Sequence, residues 1–257
     1  RSADNIRDHR HETSLLHRIE TKMYGVEVCP VLSFDERGHQ KNQTTYFVYG
    51  STGEGEAPET FYPTTEMFIG EGGSYLIPET VRTVKDGVPA GTKLQGKEAA
   101  GGMRFASVTL KPQESAAYLI LAGISEEREQ IEKQTAAYRT KKQVEATLET
   151  VKKHWTDKVN VYFATGDTAV DNYLKWICFQ PVLRRIFGCS FLPYHDYGKG
   201  GRGWRDLWQD CLALLIMEPS VVRQMIVDNY GGVRIDGTNA TIIGSRQGES
   251  LYDMERL

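Results

Sequence analysis

The sequence predicts an α+β, multidomain chain: a β-sandwich, a helical linker, and the opening helices of an α/α barrel. Three observations carry this. Short runs rich in Val, Tyr, Phe and Thr, separated by Gly, Pro, Asp and Asn turns, recur up to about residue 124. From there to about residue 155 the chain is charged, free of Pro and Gly, and sparsely apolar. Beyond residue 165 the helical patterns become apolar and are joined by Gly-rich loops.

In the first region (residues 1–124) the expected strands are 26–32, 44–49, 103–110 and 116–122. Residues 104–110 alternate loosely, as a half-buried antiparallel strand does. The turns Asp35-Glu36-Arg37-Gly38 and Lys111-Pro112-Gln113-Glu114 separate them. Residues 80–102 are Gly-rich and weakly patterned, so a loop is expected there. The second region (125–155) opens on Ser125-Glu126-Glu127, an N-cap followed by acids. Its apolar stripe of Ile131, Ala137, Tyr138, Val144, Leu148 and Val151 suits one or two surface helices. In the third region (156–257), Asp167 caps a helix expected to reach Phe187, with Pro181 kinking it. A loop over 188–203 leads to a helix from about Arg205 to Met217. Pro219 opens another that stops near Gly231-Gly232. Consecutive antiparallel helices suggest an α/α barrel, of which only the opening helices fit into the residues left.

Composition narrows the function classes. The 257 residues are 25% charged with net charge −3, and the charges are interspersed, so no nucleic acid is expected as a partner. CLALLIM is too short to cross a membrane. Cys29, Cys178, Cys189 and Cys211 lack metal spacing and read as reduced core thiols of a cytoplasmic protein. His9, His11, His17 and His39 do not fall at ligand spacing either, so no metal and no cofactor are expected. Gly198-Lys199-Gly200-Gly201 lacks the spacing of a Walker loop. Asn42 and Asn239 match the glycosylation pattern, a short and common one. Trp176 and Phe179, at helical spacing, read as core.

The densest chemistry lies in GKGGRGWRDLWQD, residues 198–210, running into CLALLIM. An apolar helix is normally buried on every side. Here its first turns carry Arg205, Asp206, Gln209 and Asp210, with Trp204 just before them. Arg205 and Gln209 share a face at i,i+4, as do Asp206 and Asp210. Aromatic, guanidinium, amide and carboxylate groups together suit a sugar ring and its hydroxyls. Residue types alone leave a second reading open, a structural Arg–Asp network capping a buried helix.

This stretch resembles the R-D-x-x-Q-D segment of the inverting disaccharide phosphorylases of glycoside hydrolase family 94, most of all the laminaribiose phosphorylase type. RSADNIRDHRHETSLLHRIET, LSFDERGH, FIGEGGS and VRIDGTNATIIGSRQGE resemble further stretches of the longer members in the same order. The resemblance implies a β-sandwich, a helical linker and an (α/α)6 catalytic barrel. It implies phosphorolysis of a β-linked glucosyl disaccharide or short oligosaccharide, with inorganic phosphate as co-substrate and α-glucose 1-phosphate as product. A homodimer is expected. By motif match, Arg205 and Asp210 bind the glucosyl unit, with Asp206, Gln209 and Trp204 beside them.

Asp206 and Asp210 lie on one side of a helix and so cannot flank a glycosidic bond as the acid and base of a hydrolase do. The general acid of the resembled family lies in a W-x-D motif, expected beyond Leu257. Trp155-Thr156-Asp157 has those letters in the linker, out of order. No residue present is assigned as catalytic, and the chain alone is expected to be inactive. After residue 249 the sequence SLYDMERL departs from the family, and Asp253 is not promoted to catalyst. The alternatives are an inverting β-glycosidase on an α/α barrel, or a non-catalytic fragment that binds sugar or dimerises.

Overall fold

A computed structural model describes residues 14–35, 38–189, 192–193, 202–240, 242–243 and 250–251. The resemblance stretch at 1–13, the Gly198-Lys199-Gly200-Gly201 loop and Asp253 lie outside the described residues. The architecture is mixed α+β, with an antiparallel five-stranded sheet, smaller two- and three-stranded pairings and several helices. The chain divides into two compact units, Arg1–Glu149 and Thr150–Leu257.

In the first unit the strands are β1 (Arg18–Lys22), β2 (Gly25–Val28), β3 (Leu32–Asp35), β4 (Gly38–Lys41), β5 (Thr45–Thr52), β6 (Thr60–Thr64), β7 (Lys93–Gln95), β8 (Ala99–Arg104) and β9 (Tyr118–Ser125). The main sheet runs β7-β1-β2-β5-β9, all antiparallel. Successive side chains alternate between its faces. Ile19 and Val26 point to one face, where with Phe61 they form a core flanked by Val28, Leu94, Ala99 and Met103. The expected run over 26–32 is two strands. β2 ends at Val28, Pro30 offers no N–H to a ladder, and β3 starts again at Leu32 to pair with β4.

Two expectations are corrected here. Residues 80–102 are not a loop: they hold a one-turn helix (α2, Glu79–Thr83), β7 and most of β8. The strand expected over 103–110 instead ends at Arg104, and Val108 and Leu110 beyond it are exposed. The cause is close backbone approach. A Cβ on Gly101 would lie 2.8 Å from the Val48 Cβ, and one on Gly102 would lie 2.9 Å from the Tyr62 Cβ. The glycines that look like loop sequence let β8 pair with β6 while lying against β5. A second one-turn helix, α1 (Thr65–Ile69), is capped by Thr64, whose Oγ1 accepts from the Met67 N–H at 3.2 Å.

The other face of the sheet is covered by residues 128–139: 3-10 turns at Arg128–Gln130 and Ala136–Tyr138 flank α3 (Ile131–Thr135). Ile131 is fully buried. The Ser51 hydroxyl donates to the Arg139 carbonyl at 2.7 Å, and the Arg139 guanidinium lies 4.0 Å over the Tyr24 ring. Ser125 does not cap a helix. It ends β9, and its hydroxyl closes a turn on Glu127, so helical geometry starts only at Arg128. The charged helix α4 (Lys141–Lys158) follows, with Leu148 and Val151 exposed on it.

The second unit is built on α5 (Thr168–Phe187), α6 (Trp204–Met217) and α7 (Pro219–Tyr230). Asp167 caps α5 as expected, its Oδ1 accepting from the Ala169 N–H at 2.8 Å. Pro181 lies inside α5 and is buried. Pro219 opens α7 one residue after α6 ends, and Gly231 closes it. Val182, Cys211, Leu214, Met217, Val222 and Met225 form the core, with Trp155 and Cys178 against it.

Two further expectations are corrected. α6 is not buried on every side, because Leu212 is 73% and Ile216 76% exposed. Only one of its faces is turned to that core. Trp176 is not core: it is 54% exposed, while Phe179 sits 4.4 Å from Trp155 and 5.4 Å from Trp176 by ring centroids. Among the described residues no helix is long and apolar enough to cross a membrane.

Candidate functional site

The site is built on the first two turns of α6. A two-residue strand, Arg202–Gly203, leads into the helix and pairs antiparallel with Ile242–Ile243, which pairs in turn with Ser250–Leu251. Two stretches far apart in sequence, GRGWRDLWQD and VRIDGTNATIIGSRQGE, therefore adjoin at the helix entrance. The second stretch is itself folded back, with the Ala240 N–H donating to the Gly232 carbonyl at 2.8 Å.

α6 and α7 run antiparallel, which brings the end of α7 beside the start of α6. The Trp204 indole N–H donates to the Asn229 carbonyl at 3.1 Å, satisfying an acceptor at the C-terminus of α7. Trp204 and Trp208 meet edge to face at 5.5 Å, and Trp208 meets Tyr230 at 5.1 Å. This aromatic wall follows from the i,i+4 spacing of Trp204 and Trp208. Asp210 is 2% exposed, close to Cys211 and Leu214 in sequence and burial.

The structure thus splits the R-D-x-x-Q-D residues. Asp210 faces inward; Arg205 and Gln209 are exposed on another side of the helix; Trp204 is half-buried. Arg205 and Gln209 do share a face, as their spacing requires. The Asp206 side chain lies outside the described residues.

Two polar groups here were not singled out by the sequence reading. The Trp208 Nε1 and Asn229 Nδ2 donors are buried and have no hydrogen-bond acceptor among the described residues. A buried donor without a partner is costly and calls for a specific acceptor. Only the antiparallel pairing of α6 with α7 reveals that these two groups belong to one neighbourhood.

A second polar cluster lies in the first unit and is also absent from the sequence reading. Glu27, 2% exposed on β2, accepts from the Tyr49 hydroxyl at 2.6 Å and from Arg128 Nε at 2.8 Å. Arg128 also bonds Glu20, and Lys22 Nζ is 2.9 Å from Glu20. Burial pushes the Glu20 carboxyl up, but Lys22 and Arg128 outweigh it and hold it below the usual carboxylate range. Burial and the Glu27 charge raise the Tyr49 phenol well above its ordinary value. Each group is paired within the cluster, which ties the 128–139 segment to the sheet. The FIGEGGS stretch lies elsewhere in this unit, where Ile69, Gly70 and Glu71 border an open groove of about 700 Å³ with Glu66 and Lys97.

Cys29, Cys178 and Cys211 are free thiols, and burial raises Cys178. The Cys189 side chain lies outside the described residues. The His17 ring is held down by burial, against the Lys97 carbonyl 3.1 Å away and Glu98. Among the described residues no His, Cys, Asp and Glu cluster fits a metal ion. No protein-family model and no curated protein sequence matches the chain.

Proposed function

We propose that this chain carries the glucosyl-binding helix of an inverting disaccharide phosphorylase resembling the laminaribiose type. The reading places a β-sandwich in the first unit and the opening helices of an (α/α)6 barrel in the second. The observation that carries it is Asp210, a carboxylate 2% exposed on the face of α6 that also carries the buried Cys211, Leu214 and Met217. A carboxylate in such surroundings is retained where it is paired or used. The aromatic wall of Trp204, Trp208 and Tyr230, and the buried Trp208 and Asn229 donors, add the ring face and hydrogen-bond donors that a sugar needs. The exposed Leu212 and Ile216 on α6 suit a helix that more barrel would cover.

In this reading Asp210 holds a hydroxyl of the glucosyl unit from the inward face of α6, and Arg205, with Trp204, Asp206 and Gln209 beside it, takes further hydroxyls from the helix side that is exposed here. A phosphate oxygen attacks the anomeric carbon in line. The glycosidic C–O bond breaks, and an acid beyond Leu257 protonates the leaving oxygen. The product is α-glucose 1-phosphate, and no second carboxylate is needed because phosphate is itself the nucleophile. A cytoplasmic compartment suits the free thiols and the phosphate supply.

The test is made in the full-length parent enzyme. Asp210→Asn should lower kcat/KM by about 100-fold or more, for phosphorolysis and for synthesis alike, with the melting temperature nearly kept. Release of glucose 1-phosphate from a β-glucosyl disaccharide should require phosphate. A folded Asp210→Asn enzyme as fast as its parent would make Asp210 a structural network residue. Sugar release without phosphate would favour a glycosidase.

A further inference from the structure

Residues 128–139 lie against one face of the five-stranded sheet, and a small cavity remains where the two meet. Tyr49 and Ser51 of β5, with their ladder partners Leu121 and Leu119 of β9, line it from the sheet. Thr135 and Arg139 line it from the covering segment. Tyr49, Ser51 and Thr135 are buried. Every residue of the wall belongs to the described part of the chain.

Arg139 is held here through most of its polar groups. Its carbonyl accepts from the Ser51 hydroxyl at 2.7 Å, and one terminal nitrogen donates to the Glu132 carbonyl at 3.2 Å. The guanidinium lies 4.0 Å over the Tyr24 ring. Its Nε–H is buried and meets no acceptor among the described residues. A buried donor left in that condition is costly.

The oxygens around the cavity have the opposite need. The Thr135 hydroxyl donates to the Ile131 carbonyl at 2.8 Å, the Ser51 hydroxyl to the Arg139 carbonyl, and the Tyr49 hydroxyl to the Glu27 carboxylate at 2.6 Å. Each proton is committed, so each oxygen presents lone pairs only. The wall therefore combines one N–H donor with several acceptors. A ligand that fits must accept once and donate at least once. A halide has no proton to donate and is larger than water, and an ammonium ion has no lone pair. The cavity measures about 10 Å³, close to the least that admits one water molecule.

We infer that this cavity binds a single water molecule, which accepts from the Arg139 Nε–H and donates to the hydroxyl oxygens of Ser51 and Thr135. A water with two to four polar partners is a lasting part of a fold. Bound there, it fastens residues 128–139 to the sheet at their far end, as the Glu27–Arg128 bond does at the near end. The water site does not rest on the phosphorylase reading.

The test is nuclear magnetic resonance on the isotope-labelled 257-residue chain. The Arg139 Nε–H should show a cross-peak to water whose sign reverses between laboratory-frame and rotating-frame experiments. Only a water that tumbles with the protein gives that reversal; a proton merely exchanging with solvent does not. Thr135→Val and Ser51→Ala each remove one acceptor, and each should weaken the cross-peak by about twofold or more while the circular dichroism spectrum is kept. Two variants are used so that one misfolded protein does not decide the matter. Crystals of the same chain soaked in bromide should show ordinary water density at hydrogen-bond distance from Arg139 Nε and no anomalous peak. An Arg139 Nε–H without a sign-reversing water contact, a cross-peak unchanged in the folded variants, or bromide in the cavity overturns the proposal.

Discussion

Removing Arg128 should destabilise the first unit more than any surface arginine would. Its Nε donates to Glu27 Oε2 at 2.8 Å, and Glu27 is 2% exposed. Arg128→Ala leaves that carboxylate with the Tyr49 hydroxyl at 2.6 Å and Lys22 at 4.0 Å. Breaking a fully buried ion pair from one side costs about 3–5 kcal/mol, because the surviving charge stays desolvated. Arg128 is itself 41% exposed, so water reaches the vacated position and the loss is smaller, about 2–3 kcal/mol. For a unit of this size that lowers the melting temperature by roughly 4–12 °C. The assay is thermal and urea unfolding followed by circular dichroism, with the cycle Glu27→Gln, Arg128→Ala and the double variant. The double variant should be less destabilised than the sum of the singles, since the neutral amide no longer needs the guanidinium. Additive effects, or an Arg128→Ala chain that melts with its parent, would refute the view that this pair locks the 128–139 segment to the sheet.

Three more outcomes are expected. Gly101→Ala puts a methyl 2.8 Å from the Val48 Cβ and should cost about 1–3 kcal/mol in urea unfolding; an unchanged midpoint would mean that β8 does not lie against β5. Folding lowers the pKa of His17 from 6.5, so the unfolded chain binds more protons just below that value. Its contribution to stability should be complete above pH 6.5 and fade as pH falls through the lowered value, and His17→Gln should flatten that part of a melting-temperature profile. Glu20 is also lowered, from 4.5, so its contribution fades only below pH 4.5. Trp208→Phe deletes the unpartnered indole N–H but keeps a ring against Trp204 and Tyr230; its melting temperature should stay within a few degrees of the parent. In the full-length enzyme the same variant should bind sugar more weakly if that donor meets a ligand, and equal affinity would remove it from the site.

The sequence by itself located what depends on neighbours along the chain. Asp167 before an apolar periodic run marks a helix start, and Pro219 and Gly231 bracket α7, because caps and breakers act within one turn. The spacing of Arg205, Asp206, Gln209 and Asp210 placed these residues on one helix and said which of them share a face. Tertiary structure alone decided what depends on approach between distant segments. Gly101 and Gly102 read as loop until Val48 and Tyr62 are seen against them. Glu27 and Arg128, 101 residues apart, carry no local sign that they are partners. Trp208 and Asn229 become one polar neighbourhood only when α7 folds back along α6, and Asp210 rather than Arg205 turns inward only because one face of α6 meets the core. Periodicity is set by backbone geometry within a few residues, whereas burial and pairing depend on which surfaces the folded chain brings together.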